Sequence, residues 1–208
     1  MDFEQIQQAV LRGDASFVAE NVKVLLDQGV GAGEILNLAL VPPMVEIGNL
    51  YEQGEVYVPE MLIAAHAMKA GMQVLRPELV KAGVKPLGRV VIGTVQGDIH
   101  DIGKNLVAML LEGAGFEITD LGVDNSPDEF VAAVKAGAHI LGMSGLLTTT
   151  IPSMPRTIQA LKEAGLREKV KVIVGGAPVT QEFADEIGAD GYAPDAASAV
   201  RLAKSLIS

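Results

Sequence analysis

From Arg89 onward the apolar residues change their period repeatedly, and this restricts the fold more than any other feature of the chain. Val90-Val91-Ile92-Gly93-Thr94-Val95 is a short, almost continuous apolar run, the pattern of a strand buried on both faces. Gly103 to Gly113 then follows a helical period. Four more strand runs come after it: Phe116 to Leu121, Ala138 to Ser144, Val170 to Val174 and Gly191 to Ala193. Helical stretches separate them. One opens at Ser126-Pro127-Asp128-Glu129, a serine cap with acids in the first turn. A second covers Ile151 to Ala164, with Pro152 and Pro155 near its start. Thr180 caps a third that runs to about Gly188, and Pro194-Asp195 opens the last. Five strand–helix units in series predict an open, doubly wound parallel sheet. Such sheets bind ligands beyond the carboxyl ends of their strands.

The first 86 residues have a helical period throughout. Asp2 can cap a short helix carrying Phe3, Ile6 and Val10. Asp14 can cap a second, with Val18, Val22, Leu25 and Leu26 on its apolar face and Gly29 at its end. A third pattern spans Glu34 to Tyr51 through Ile35, Leu38, Met44, Ile47 and Leu50. Pro42-Pro43 interrupt it, which predicts a kink or a restart. Pro59 suits the first turn of a fourth helix, whose apolar positions are Met61, Leu62, Ala65, Met68, Met72, Leu75 and Leu79. The methionines fall at helical spacing, so core packing is their default reading. His66, in mid-helix, reads as a packed histidine, and His139, ahead of the third strand, as a surface residue. The predicted organisation is a helical bundle over residues 1–86 and a Rossmann-like domain over 87–208. Lys81-Ala82-Gly83-Val84-Lys85-Pro86-Leu87-Gly88 serves as the linker.

Composition removes several kinds of chemistry. The chain has no cysteine, so disulfides, thiolate catalysis, iron–sulfur ligation and Cys-based zinc sites are excluded. Three histidines (His66, His100, His139) leave little for an all-histidine metal site. The net charge is −10, split evenly between the two halves, with no basic stripe. Nucleic-acid binding is disfavoured on that ground. No apolar run is long enough to span a membrane. Met1 is followed by Asp2-Phe3-Glu4 with no basic leader, so a cytoplasmic location is expected.

Three motifs fall at predicted strand ends. Gly97-Asp98-Ile99-His100-Asp101-Ile102-Gly103-Lys104-Asn105 follows the first strand. Ser144-Gly145-Leu146-Leu147-Thr148-Thr149-Thr150 follows the third, and Gly175-Gly176 the fourth. Each alone has a plain structural reading. A lone histidine after a strand is more often a satisfied turn residue than a ligand. Asp101 can be a helix N-cap, and Gly175-Gly176 can be turn glycines. Ser144 and Thr148 to Thr150 can be a polar loop capping the next helix.

Together and in order, Asp-x-His-x-x-Gly, Ser-x-Leu and Gly-Gly resemble the cobalamin-binding domain shared by methionine synthase, mutases and corrinoid proteins of methyltransferase systems. The preceding bundle, with Gly54-Glu55-Val56-Tyr57-Val58-Pro59-Glu60, resembles the cap module before that domain in methionine synthase. Bundle plus domain is similar to the small corrinoid proteins. The fold implied is an α/β one, a four-helix bundle followed by a flavodoxin-like five-stranded parallel sheet. The cofactor implied is cobalamin, with His100 as the lower ligand of cobalt.

The resemblance assigns further roles. Asp98 accepts a hydrogen bond from the other imidazole nitrogen, fixing the tautomer and raising the basicity of the ligand. Thr150 stands where the methionine synthase relay ends in serine. Gly103, Gly175 and Gly176 leave a slot for the displaced nucleotide tail. Ser144 and Thr148 hydrogen-bond the tail or the corrin edge, Leu146 packs against it, and Asp101 and Ile102 complete the loop. Tyr57 and Met61 supply the cover above the cobalt, with Ala64 where the family has a bulky residue.

The function implied is that of a non-catalytic methyl carrier. Its partners are a substrate-specific methyltransferase, a second methyltransferase acting on tetrahydrofolate or a thiol, and a reductive activase. The alternatives are a cobalamin-binding sensor, which would need a DNA-binding module, and a mutase subunit, which would need a separate catalytic chain. A cobalt-free flavodoxin or receiver-like domain is a further one. A receiver needs an acid cluster at the ends of strands one and three, and strand three ends in Ser144.

Overall fold

The structure is a computed structural model and describes residues 2–207. The chain divides into two compact units. One is Met1–Pro86 with Gly113–Gly115, and the other is Leu87–Glu112 with Phe116–Ser208.

The first unit is helical. Helix α1 (Phe3–Leu11) has Asp2 as its N-cap, and Asp14 caps α2 (Ala15–Asp27) by accepting the Phe17 N–H at 3.1 Å. A short α3 (Ala32–Ile35) passes into a π-helical turn (Leu36–Leu40) and then α4 (Val41–Glu52). The last helix, α5 (Val58–Lys81), packs most extensively on α2. A kink or restart was expected at Pro42-Pro43, and the irregularity lies just ahead of them. Pro42 has no N–H to give to Leu38, so the widened turn accommodates the loss. The Leu38 carbonyl is instead taken by the Gln7 side-chain amide at 2.6 Å.

Three expectations fail here. Leu38 was placed on the buried face, but the π turn rotates the stripe, and Leu38 is exposed while Ala39 and Leu40 are buried. Leu62 is exposed, and so is His66, which was read as packed. The buried stripe of α5 instead follows Met61, Ala64, Ala65, Met68, Gly71, Leu75 and Leu79. The small residues matter. A Cβ on Gly71 would stand 2.8 Å from Val18 Cγ1 and 3.1 Å from Leu40 Cδ2, so glycine is what lets α2 and α5 approach. Pro77 lies inside α5 without ending it.

The second unit is the predicted parallel sheet. Strands β1 (Arg89–Thr94), β2 (Glu117–Asp120), β3 (Ile140–Ser144), β4 (Lys171–Gly175) and β5 (Gly191–Tyr192) alternate with helices. These are α6 (Ile102–Gly113), α7 (Pro127–Lys135), α8 (Ser153–Glu163), α9 (Gln181–Ile187) and α10 (Ala196–Ile207). The spatial order is β2-β1-β3-β4-β5, with every neighbouring pair parallel. The chain therefore leaves β1 in one direction and resumes at β3 in the other, which opens a crevice above those two strands. The α7 cap is the one read from sequence. Glu129 accepts the Ser126 N–H at 2.7 Å, while the Glu129 N–H is 3.4 Å from Ser126 Oγ. One core layer is built from Val91, Phe130, Leu141, Met143, Met154, Ile158, Leu161, Val172 and Val174, each less than 5% exposed. Burying such side chains contributes about 1.5–3 kcal/mol apiece. Among the described residues no helix is long and apolar enough to cross a membrane.

Candidate functional site

Parallel register aligns the ends of three strands. Thr94 of β1 lies beside Ser144 of β3, and Ser144 beside Gly175 of β4. All three motifs start from this row, so the sheet itself brings residues 98–103, 144–150 and 175–176 to one edge.

Asp98 is at the centre and fully buried. Its carboxylate meets only donors. Oδ1 accepts the His100 backbone N–H at 3.0 Å and lies 2.7 Å from His100 Nδ1. Oδ2 accepts the backbone N–H groups of Leu146 at 2.7 Å and Leu147 at 3.1 Å, and the Thr150 hydroxyl at 2.9 Å. Burial by itself pushes this carboxyl up. The Leu146 and His100 amides, then the His100 ring and the Leu147 amide, outweigh burial and hold it well below the usual carboxylate range. Thr150 therefore occupies the relay position that the sequence pattern gives to serine, and its methyl does not displace the contact.

A carboxylate can only accept, so in the neutral imidazole the proton sits on Nδ1 and the lone pair on Nε2. Among the described residues Nε2 has no protein partner, and the His100 side chain is 47% exposed. Exposed apolar side chains occur on its own loop, Ile99 at 74% exposure and Ile102 at 79%, and on the loop after β3, Leu146 at 43% and Leu147 at 42%. Exposed apolar groups concentrated on one loop pair are unusual for surface loops and fit a ligand with a broad apolar face. The hydroxyls of Ser144 (half-buried) and Thr148 (exposed) make no hydrogen bond to protein among the described residues.

The glycines divide into two kinds. A Cβ on Gly103 would meet nothing within 4 Å, so that position opens onto free space. Gly176 has φ +129°, and a Cβ there would come within 1.8 Å of the Gly145 carbonyl oxygen. Glycine at 176 is therefore required for the β3–α8 and β4–α9 loops to touch, whatever is bound. A Cβ on Gly175 would lie 3.1 Å from the Ala193 carbonyl oxygen.

Asp101 acts through its backbone and its side chain separately. Its carbonyl accepts the Asn105 N–H at 2.8 Å, the first bond of α6, and its carboxylate accepts the Asn105 side-chain amide at 3.1 Å. In the helical unit Tyr57 is 68% exposed, and Met61 is fully buried. His139 is exposed as expected, but its Nδ1 accepts the Arg89 N–H at 2.9 Å.

Sequence reasoning missed the groups that hold this edge together. Thr94, fully buried, donates its hydroxyl to the His100 carbonyl at 2.8 Å. Asn125, also buried, gives its side-chain amide to the carbonyls of Thr94 at 2.9 Å and Gly122 at 3.1 Å. Lys104 is buried with its ammonium 2.7 and 2.6 Å from the two Asp120 carboxylate oxygens. A lysine directly after the motif glycine, inside an apolar helix face, was the one available signal.

These residues fit the group that the motifs imply. The donor set is one imidazole with a bare Nε2, backed by a carboxylate, beside apolar surface and open backbone. Comparison with known proteins agrees. Two family models, each described as a B12 binding domain, match residues 88–201 and 2–76. A corrinoid protein of Desulfitobacterium hafniense strain Y51 is 41% identical over 208 residues, covering 98% of this chain and 96% of that one. Dimethylamine corrinoid protein 1 of Methanosarcina mazei is 43% identical over 210 residues, covering 98% and 95%. The solved methanol:cobalamin methyltransferase complex of Methanosarcina barkeri contains a chain that superposes with a TM-score of 0.87 at 30% identity, covering 97% of this chain and 78% of that one. The chain belongs to the B12-binding corrinoid protein family, and its cofactor is cobalamin.

Proposed function

We propose that this protein is a methyl carrier, shuttling a methyl group between a substrate:corrinoid methyltransferase and a second methyltransferase that acts on tetrahydrofolate or a thiol. The observation that carries this reading is the Asp98–His100 pair, whose 2.7 Å contact commits Nδ1 and leaves Nε2 free. Bound cobalamin supplies the cobalt chemistry of accepting and releasing a methyl group. The chain supplies the rest. His100 is the proposed lower ligand, through Nε2. Asp98 fixes its tautomer and raises its basicity, and Thr150 and the Leu146 and Leu147 amides hold Asp98.

Ser144 and Thr148 are the proposed hydrogen-bond partners for the polar parts of the cofactor. Leu146, Ile102 and the open backbone at Gly103 form the proposed surface under it, with Asp101 fixing the start of α6, and Gly175 and Gly176 shape the neighbouring loops. The helical unit, residues 1–86, is the proposed cover, with the exposed Tyr57 the stronger candidate for contact and Met61 behind it. Support for partner docking comes from the relatives, one named for dimethylamine and one solved with its methyltransferase. A reductive activase is a further proposed partner, and the cytoplasm the proposed location.

The test is reconstitution with hydroxocobalamin. The wild-type protein should give the absorption spectrum of imidazole-ligated cobalamin, and His100→Ala should not. Affinity should also fall by at least the roughly 10- to 100-fold that follows loss of an outer-shell partner. Identical spectra for the two proteins would remove His100 from the metal.

A further inference from the structure

The ring of His100 is held by Asp98, but a ring turns with its backbone, and the His100 carbonyl is held from a different side. The His100 N–H is given to Asp98 Oδ1 at 3.0 Å, and its carbonyl receives the Thr94 hydroxyl at 2.8 Å. Thr94 is the last residue of β1, with no exposed surface, so this hydroxyl is fixed by the sheet. Its own carbonyl is then taken twice by Asn125, through the backbone N–H at 3.0 Å and the side-chain amide at 2.9 Å. The segment after β2 grips the same loop again. Asp124, at φ +57°, accepts the Gly97 N–H on Oδ1 at 2.6 Å and gives its N–H to the Asp98 carbonyl at 2.9 Å.

We propose that Thr94 is a positioning residue for His100, set in place by Asn125, and that it pre-organises the imidazole for cobalt. The proposal rests on the reading of His100 as the lower ligand. Its physical content is that two anchors are needed. Asp98 sets which nitrogen is free and where the ring sits relative to residues 146–150. Thr94 sets where the peptide carrying the ring sits relative to β1. Without the hydroxyl, the His100 carbonyl loses its one protein donor among the described residues, and the loop samples positions in which Nε2 is off the ligating direction. Part of the ligation energy then goes to re-ordering the loop.

A double-mutant cycle on hydroxocobalamin affinity tests this, with the variants Thr94→Val, His100→Ala and the pair. Thr94→Val keeps shape and removes one hydroxyl. In the wild-type background it should raise Kd by about 3- to 10-fold, the worth of one neutral hydrogen bond. In the His100→Ala background it should leave Kd unchanged, because there is no ligand left to position. Thr94→Ser, which keeps the hydroxyl, should restore affinity to within about twofold of wild type. An equal loss in both backgrounds, or none in either, overturns the role of Thr94 and leaves His100 as ligand intact. A wild-type spectrum without an imidazole-ligated signature overturns the ligand reading itself. If Thr94→Val does not fold, Asn125→Ala runs in the same cycle. It should show the same dependence on His100, and an effect independent of His100 refutes the proposal.

Discussion

Replacing Asp98 by asparagine changes one atom and reverses the chemistry of the site. The carboxylate accepts from five donors and gives nothing. An amide offers one oxygen and one NH2, so one side of the pocket must face a donor. If the NH2 takes the Oδ2 position, it opposes the Leu146 and Leu147 amides. If it takes the Oδ1 position, it opposes the His100 N–H, but the ring can respond by moving its proton to Nε2 and accepting on Nδ1. The second arrangement orphans one backbone donor rather than two, so it wins. The cost is about 1–3 kcal/mol for the orphaned amide, and about 1 kcal/mol for each of the four remaining bonds, the reversed ring bond included, that change from charge-assisted to neutral. The sum is about 5–7 kcal/mol, a fall in Tm of roughly 10–25 °C.

The assay is 15N chemical shifts of the labelled imidazole in cofactor-free protein near pH 8.5, above the ordinary histidine range. Wild type should show the Nδ1–H tautomer and Asp98→Asn the Nε2–H tautomer, with thermal unfolding followed in parallel. Acid behaviour gives a second reading. The Asp98 carboxyl is held below its ordinary 3.8, so its contribution to stability is complete above that value and is lost as pH falls through the folded value. Asp98→Asn should remove that acid-sensitive part. The same tautomer in both proteins, or an unchanged acid limb, refutes the reasoning.

Two shape predictions follow from the glycines. Gly176→Ala places a Cβ 1.8 Å from a carbonyl oxygen at φ +129°, so both backbone strain and overpacking apply, and a loss of about 2–6 kcal/mol is expected in denaturant unfolding. A midpoint matching wild type would mean that the two loops are not in contact. Gly71→Ala gains about 1 kcal/mol of helix propensity but drives a Cβ to 2.8 Å from Val18, and should lower Tm, with Val18→Ala in the same chain recovering part of the loss. A higher Tm for Gly71→Ala alone would show that α2 and α5 have room to spare.

What the sequence disclosed about this molecule and what it hid follow one physical division. Buried parallel strands need continuous apolar runs, and N-caps need particular side chains, so β1 to β5 and the caps at Asp14, Ser126 and Thr180 are written in local residue types. The π turn is not, because its cause at Pro42-Pro43 and its remedy at Gln7 are about 35 residues apart, the separation a single helix pattern cannot register. The same holds within the site. Asp98 and His100 are neighbours, so their pairing was legible as spacing. The bonds from Thr150, Leu146 and Leu147 cross 48 to 52 positions, and only the parallel register of β1 on β3 makes them. Thr94 and Asn125 were invisible for a further reason: each is a polar residue in an apolar setting whose partner is a backbone carbonyl, and backbone partners leave no residue type to match. A buried threonine at the end of a strand thus carries information only once one asks which carbonyl would otherwise go without a donor. Here that carbonyl belongs to His100, the proposed cobalt ligand.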